Sequence, residues 1–392
     1  MTTYHEYDGI GASRRPLRIA QVAPLYESVP PKRYGGTERV VACLTEALTR
    51  RGHEVTLFAS GDSAASARLR STRRGSLREE GLTPLGASLQ LPLLSEVFDH
   101  AGSFDVIHCH LDYWSFPFAH LVRTPVLTTL HGRMDIKELF EVYRYYADAP
   151  VVSISHAQRR PMPELNWVAT VYHGLTGDRL HFSSGPGRYL AFLGRISPEK
   201  RPDLAIEVAR RARIPLKIAA KVDDADRGYY ESVIKPMLDG PGVEFIGEIG
   251  EDQKSEFLGN AIALLFPVDW PEPFGLVMIE ALACGTPVIA RPFGSVPEIL
   301  RDGVTGIIAS TVEEMADAVR RIGALSRHRC RQEFEARFTA EVMARNYERV
   351  YHELIEDRRG AAAPLDHPAR GLTERTGAGE GRRRWPLDLE TA

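Results

Sequence analysis

Three clusters in this chain have residue types and spacings that could do chemistry. The first is Gly194-Arg195-Ile196-Ser197-Pro198-Glu199-Lys200, which follows an apolar run and precedes a helical pattern. An arginine and a lysine five residues apart, beside the N–H groups of a helix start, suit a diphosphate. The guanidinium grips oxygens in pairs and the ammonium acts as a point charge. A solvated basic turn has the same composition, but Gly194 lets the backbone approach a ligand and favours binding. The second cluster runs from Trp270 to Pro287 and holds Glu272 in a proline-pinned loop. Glu280 lies about two turns along a mostly apolar helix, among Val277, Met278, Leu282 and Ala283. A buried carboxylate needs a partner, and the partner expected for Glu280 is a ligand. A glycosidase acid and base would flank one bond about 5 to 9.5 Å apart. Eight residues of loop and helix, at about 1.5 Å per helical residue, spread this pair further. The pair suits opposite ends of a long ligand.

The third cluster is His110 with Asp112 in DVIHCHLDYW, at the end of a strand-length apolar run. A lone histidine is commonly a satisfied core or loop residue, and nothing but the strand-end position argues otherwise at this stage. His108 shares its face one pleat earlier and reads as structural. His131-Gly132 and His173-Gly174 are weaker cleft candidates. Ser155-His156 has the look of a nucleophile and base without the G-x-S-x-G context. Gly35-Gly36 fits either a loop closing over a ligand or a plain turn before a helix. Asp223, Asp224 and Asp226 read as a solvated acidic loop rather than a metal site.

These residues need elements to hold them. LRIAQVA (17–23) reads as a strand, followed by a Pro/Gly-rich loop. The helix after it carries Val40, Val41, Leu44, Ala47 and Leu48 on one face, with Thr37 as cap and Gly52 as stop. Strand-length runs recur at 54–60, 105–110, 124–132 and 149–156, the pattern of a parallel sheet with covering helices. After HFSSGPGR (181–188), which reads as a linker, YLAFLG starts a second series. It continues through the Pro202 helix, with Leu204, Ala205, Val208 and Ala209 inward, and the strands PLKIAA, VEFIGE, AIALLFPV, TPVIA and VTGIIA. Open α/β sheets bind ligands at the carboxyl ends of their strands, where all three clusters fall. From Ala361 onward the composition is that of a disordered tail.

The length of 392 residues favours two cores. With 43% apolar and 26% charged residues the chain is globular in composition. Forty-nine basic against 52 acidic side chains leave a net charge of −3, which argues against a nucleic-acid partner. Four dispersed cysteines indicate neither a zinc ribbon nor a disulfide framework and suit a reduced, cytoplasmic setting. No apolar run has the length of a signal peptide or a membrane span, so membrane association is expected to be peripheral at most. A Rossmann dehydrogenase is disfavoured, because no G-x-G-x-x-G follows the first strand.

EPFGLVMIE (272–280), followed by ALACGTPVIA and GSVPEIL, resembles the E-x7-E element of the family 4 retaining glycosyltransferases of the GT-B fold. GRISPEK and APLYESVPPKRYGGTERV match the same family in the expected order, so the likeness covers about residues 17–355. It implies two Rossmann-like parallel-sheet α/β domains facing across a cleft. Residues 1–16 would be an extension, 17–182 the acceptor-binding domain and 183–337 the donor-binding domain. Residues 338–357 would be a helix packing back on the first domain, and 358–392 the tail. Glu280 would take ribose hydroxyls and Glu272 hexose hydroxyls. The backbone of Phe274, Gly275 and Leu276 would meet sugar and phosphate, with Arg195, Lys200 and Gly194 at the diphosphate. Gly35 and Gly36 would close over the β-phosphate, and His110 would contact the donor hexose at the reaction centre. The implied activity is hexosyl transfer, with retention, from a UDP-glucose or GDP-mannose type donor to an acceptor hydroxyl on a sugar, polyol, phosphorylated metabolite or lipid-linked glycan. No cofactor or metal is expected. An epimerase or phosphorylase on the same fold, or a silent sugar-nucleotide-binding protein, are the alternatives.

Overall fold

The computed structural model describes residues 15–32 and 35–360, so the tail beyond Gly360 and most of the N-terminal extension lie outside the described residues. Two all-parallel sheets organise the chain. The first contains β1 (Arg18–Val22), β2 (Glu54–Phe58), β3 (Arg68–Arg70), β4 (Val106–Cys109), β5 (Val126–Thr129), β6 (Val151–Ser153) and β7 (Trp167–Thr170), in the order β3-β2-β1-β4-β5-β6-β7. The second contains β8 (Tyr189–Arg195), β9 (Leu216–Lys221), β10 (Val243–Gly247), β11 (Ala261–Phe266), β12 (Val288–Ala290) and β13 (Gly306–Ile308), in the order β10-β9-β8-β11-β12-β13. In each sheet the chain works outward from one central strand and then jumps to its other side. The crevices at those reversals open at the carboxyl ends of β1 and β4 and of β8 and β11, the ligand positions of doubly wound sheets.

The apolar runs become central strands because both faces are covered: Ile19, Val22, Val106 and Ile107 are fully buried, as are Leu190, Ala191, Leu264 and Ile289. Two edge strands escaped the sequence reading. Arg68–Arg70 has alternating charge and Trp167–Thr170 is only half-buried along its length, so neither shows the apolar run of an interior strand. The Gly36–Arg50 helix begins one residue before Thr37, which is not its cap. Gly35 occupies that position in extended backbone with no side-chain hydrogen bond. A Cβ on Gly35 would lie 2.7 Å from Pro31 Cβ, so the turn is packed too closely for a side-chain cap. Gly52, at φ +90°, ends the helix as expected. In the Pro202–Ala212 helix Ile206 is buried and Leu204 only half-buried.

The stretch read as a linker is fixed to the second half. His181 N donates to Ser255 Oγ at 2.8 Å, Ser183 N to the Cys284 carbonyl at 3.1 Å and Arg188 N to the Asn260 carbonyl at 2.8 Å. The chain returns at residues 338–340, where Leu175 N donates to the Phe338 carbonyl at 2.9 Å and Ala340 N to the Leu175 carbonyl at 3.0 Å. The Ala340–Gly360 helix then lies on the first half: Arg51 and His53 bond Glu348, and Tyr347 and Tyr351 are fully buried. All four cysteines are free and buried, and among the described residues no helix is long and apolar enough to cross a membrane.

Candidate active site

Between the carboxyl ends of the two sheets lies a cavity of about 330 Å³. Gly35, Gly36, Gly194, Arg195, Lys200, Glu272, Phe274, Gly275, Leu276 and Glu280 all line it, so residues more than 200 positions apart converge on one space. Gly194 sits near the end of β8, and a Cβ there would meet nothing within 4 Å, so the strand's end is open to whatever fills the cavity.

Glu272 is 7% exposed and its carboxylate bonds the Lys200 ammonium, which also sits 5.0 Å from the Trp270 ring centroid. The loop is held from behind. Ser295 N donates to the Glu272 carbonyl at 2.9 Å and Ser295 Oγ to the Phe274 carbonyl at 2.8 Å. Gly294, at φ +59°, lies so close that any Cβ would overlap the Glu272 backbone. Gly275, at φ +79°, opens the Leu276–Ala283 helix, and a Cβ on it would come within 2.8 Å of Met278 Cε. The first turn of that helix has N–H groups with no intrahelical partner and the positive end of its dipole, a setting for anionic oxygens.

Glu280 is 1% exposed, and its burial is not left to a ligand as the sequence suggested. Lys254 Nζ lies 2.9 Å and Arg39 Nη1 2.5 Å from Glu280 Oε1, and both cations also bond Glu251. Burial alone would push the Glu280 carboxyl up, but Lys254 and then Arg39 outweigh it and hold it below the usual carboxylate value. Its second oxygen, Oε2, is buried with no hydrogen-bond partner. The site therefore presents an ionised carboxylate with one oxygen satisfied by protein and one in need of a donor such as a hydroxyl.

Arg195 pairs with Glu199 at 2.5 Å and with Asp226 at 3.1 Å. Asp226 is thus part of the site's charge balance rather than of a solvated loop. Its neighbours are paired too, Asp223 with Lys221 at 2.6 Å and Asp224 with Arg227 at 2.8 Å.

The histidines are arranged differently from the sequence expectation. His131 and His173, the weaker candidates, line the cavity, while His110 is 3% exposed and lies behind His131, with His110 Nδ1 2.8 Å from His131 Nε2. His173 stacks on His131 at 5.1 Å and meets Phe274 of the other half at 4.8 Å. Burial lowers His131 to about 3, and burial together with neighbouring histidines holds His110 and His173 well below the usual value, so all three are neutral. His108 is buried between Tyr351 and Thr129, a structural position. Asp112 takes the left-handed conformation at φ 48°, and burial raises its carboxyl to about 6. Ser155 caps the short His156–Arg159 helix through its bond from Gln158 N, so that pair is structural.

Against known proteins, residues 34–170 match Glycosyltransferase Family 4 and residues 180–337 match Glycosyl transferases group 1. The chain belongs to the family 4 glycosyltransferases of the GT-B fold. This glycosyltransferase is 26% identical over 380 residues to the D-inositol 3-phosphate glycosyltransferase of Mycolicibacterium paratuberculosis, covering 81% of this chain and 86% of that one. Its fold is similar to that of sucrose-phosphate synthase from Thermosynechococcus elongatus, with a TM-score of 0.70 and 22% identity over 87% of this chain and all of the other. It is also similar to Anabaena HepE in complex with UDP-glucose, with a TM-score of 0.64 and 16% identity over 86% and 100%. At those identities the two structures speak for the fold alone.

Arg39, Lys254, Glu251 and Glu298 of this glycosyltransferase went unnoticed in the sequence, and Asp226 was read only as part of a solvated loop. Arg39 had a usable signal, one turn into the helix that Gly35-Gly36 opens. Lys254 had none, since a lysine in EDQKSEF looks like any solvated helix residue. Glu298 joins the halves, accepting from His156 N at 2.8 Å, Ala157 N at 2.7 Å and the Tyr172 hydroxyl at 3.1 Å.

Proposed function

We propose that the enzyme transfers a hexosyl group from a nucleotide diphosphate sugar to an acceptor hydroxyl with retention at the anomeric carbon, using a UDP-glucose type donor in preference to a GDP-mannose type. The carrying observation is Glu280: an ionised, buried carboxylate at the cavity wall whose Oε2 lacks a donor fits the vicinal hydroxyls of a ribose. The Leu276–Ala283 helix start and the Arg195 and Lys200 cations stand where a diphosphate would bind and where charge develops on the leaving group. Both cations are carboxylate-paired, so donor binding exchanges one anionic partner for another. The UDP and UDP-glucose held by HepE support a uridine donor.

Glu272, held in its pinned loop and released from Lys200 by the incoming diphosphate, orients hexose hydroxyls rather than attacking, and a same-face displacement assisted by the leaving phosphate follows. The acceptor faces the first half around Arg133. Polyol phosphates and sugar phosphates are the first classes to test, since the relatives named above act on inositol 3-phosphate or make sucrose phosphate. With two cations for the diphosphate, turnover needs no metal, and EDTA should leave the rate unchanged.

Calorimetry with a panel of nucleotide sugars, followed by NMR of the anomeric proton in the product, tests this reading. Tight binding of one donor, loss of that binding by at least tenfold in Glu280→Ala, and an unchanged anomeric configuration are expected. An inverted product sinks the retaining mechanism, and binding without transfer to any acceptor class sinks the enzyme reading of this site.

A further inference from the structure

Behind the His131 wall a chain of hydrogen bonds runs to the C-terminal helix. His131 Nε2 lies 2.8 Å from His110 Nδ1, and His110 Nε2 lies 2.9 Å from Gln21 Oε1. The Gln21 amide nitrogen donates to the Tyr351 hydroxyl at 3.0 Å. Tyr351 in turn lies 2.8 Å from His108 Nδ1, and His108 Nε2 lies 2.7 Å from Thr129 Oγ1. Gln21, His108 and Tyr351 are fully buried, so no solvent substitutes for a missing partner.

Proton counting along this chain has a consequence at the cavity. A neutral imidazole carries one N–H and one lone pair. An amide oxygen only accepts, so His110 carries its proton on Nε2 and leaves Nδ1 as a lone pair. His131 must then donate from its own Nε2, which leaves a lone pair on Nδ1, the remaining nitrogen of a ring that lines the cavity. Turning the Gln21 amide over would reverse every role, and His131 would show the cavity an N–H instead. One torsion at Gln21 therefore selects between an acceptor and a donor at this wall.

We propose that Gln21 is a positioning residue which, through His110, fixes the tautomer of His131 with the proton on Nε2 and the lone pair on Nδ1, so that this wall accepts a hydrogen bond from a substrate hydroxyl. The Tyr351 hydroxyl accepts from the amide nitrogen in this arrangement, so the C-terminal helix takes part in the network that sets the site. His173, stacked on the ring, holds its plane. The hydroxyl-bearing substrate rests on the proposed function, whereas the tautomer is a property of the free protein.

Nitrogen-15 NMR of the full chain with labelled histidine reads it directly. The wild type should show His131 protonated at Nε2 and bare at Nδ1, and the opposite tautomer overturns the proposal. In Tyr351→Phe and in Gln21→Met the His131 signal should become a mixture of tautomers, and a wild-type signal in both also overturns it. With the best donor, Gln21→Met should lower kcat by about tenfold, the worth of one well-placed hydrogen bond, with the donor KM little changed. An unchanged kcat overturns the catalytic part. If Gln21→Met does not fold, the wild-type and Tyr351→Phe spectra still decide. If the wild type transfers to no acceptor yet shows the stated tautomer, it is the proposed function that fails.

Discussion

Glu280 is where binding and stability meet in one side chain. Its carboxylate satisfies two buried cations through Oε1 and keeps Oε2 for a ligand. Removing the charge leaves Lys254 and Arg39 to share Glu251, and an uncompensated buried charge costs about 3–5 kcal/mol. Glu280→Gln should accordingly unfold at a markedly lower urea concentration than wild type, besides binding donor poorly. The acid limb gives a second check. Because the folded protein holds this carboxyl below 4.5, its stabilisation is complete above about pH 4.5 and disappears as the pH falls through the lower, folded value. The gap in unfolding free energy between wild type and Glu280→Gln should therefore close below pH 4.5. A gap that stays constant to pH 3 would mean the ion pairs contribute nothing.

Loops rather than helices and strands carry the fine placement of the donor-side groups. The Trp270–Gly275 loop is bound at Glu272 and Phe274 by Ser295, and Gly294 fits beneath it at a positive φ. Gly294→Ala adds a Cβ into the Glu272 backbone and strains the local conformation, at about 1–3 kcal/mol. The expected result is a fold intact by circular dichroism, a melting temperature lowered by several degrees and a donor affinity reduced far more than a surface substitution would reduce it. The strand ends of the first sheet show a different element-level effect, because His108, His110 and His173 are neutral and buried, with the neutral, half-buried His131 packed against them. Each binds protons in the unfolded chain near pH 6.5 and resists them in the folded one, His131 down to about 3. Stability should be complete above pH 6.5 and fall steadily as the pH drops from there toward 3. Urea midpoints equal at pH 7 and pH 5 would contradict this.

At the scale of the molecule, the two halves are bridged by charged side chains. Arg39 of the first half reaches Glu251 and Glu280 of the second, and Glu298 of the second half holds the backbone of His156 and Ala157 in the first. Side chains of the two halves also meet, the Arg133 guanidinium over the Trp270 ring at 5.2 Å and the His173 ring on Phe274. Glu298→Ala removes three hydrogen bonds across the cleft without touching a cavity-lining group. In solution scattering this variant should show a larger radius of gyration than wild type in the absence of donor, and a raised acceptor KM with donor affinity nearly unchanged, since closure brings the two substrates together. An identical scattering profile would show that Glu298 does not hold the halves together.

The sequence alone determined the two parallel α/β sheets, because interior strands buried on both faces must be continuous apolar runs and their strand-end residues must be small or polar. The resemblance carried by GRISPEK and EPFGLVMIE implied one site for Arg195, Lys200, Glu272 and Glu280, and all four line one cavity. Only the tertiary structure decided how Glu280 is neutralised, because Arg39 lies 241 positions away and Lys254 26 positions away on a separate helix. The same holds for the histidines. At the strand ends His110 and His131 look alike in sequence, and which one faces the cavity depends on how far each chain continues before it turns. Edge strands without an apolar face and the pairing of Asp226 with Arg195 are set by neighbours that arrive from elsewhere in the chain, whereas the cap displaced by Pro31 and the pairs of Asp223 and Asp224 are local contacts that composition alone does not show. Local pattern fixes what a residue can do, and long-range contact selects which of those options it takes.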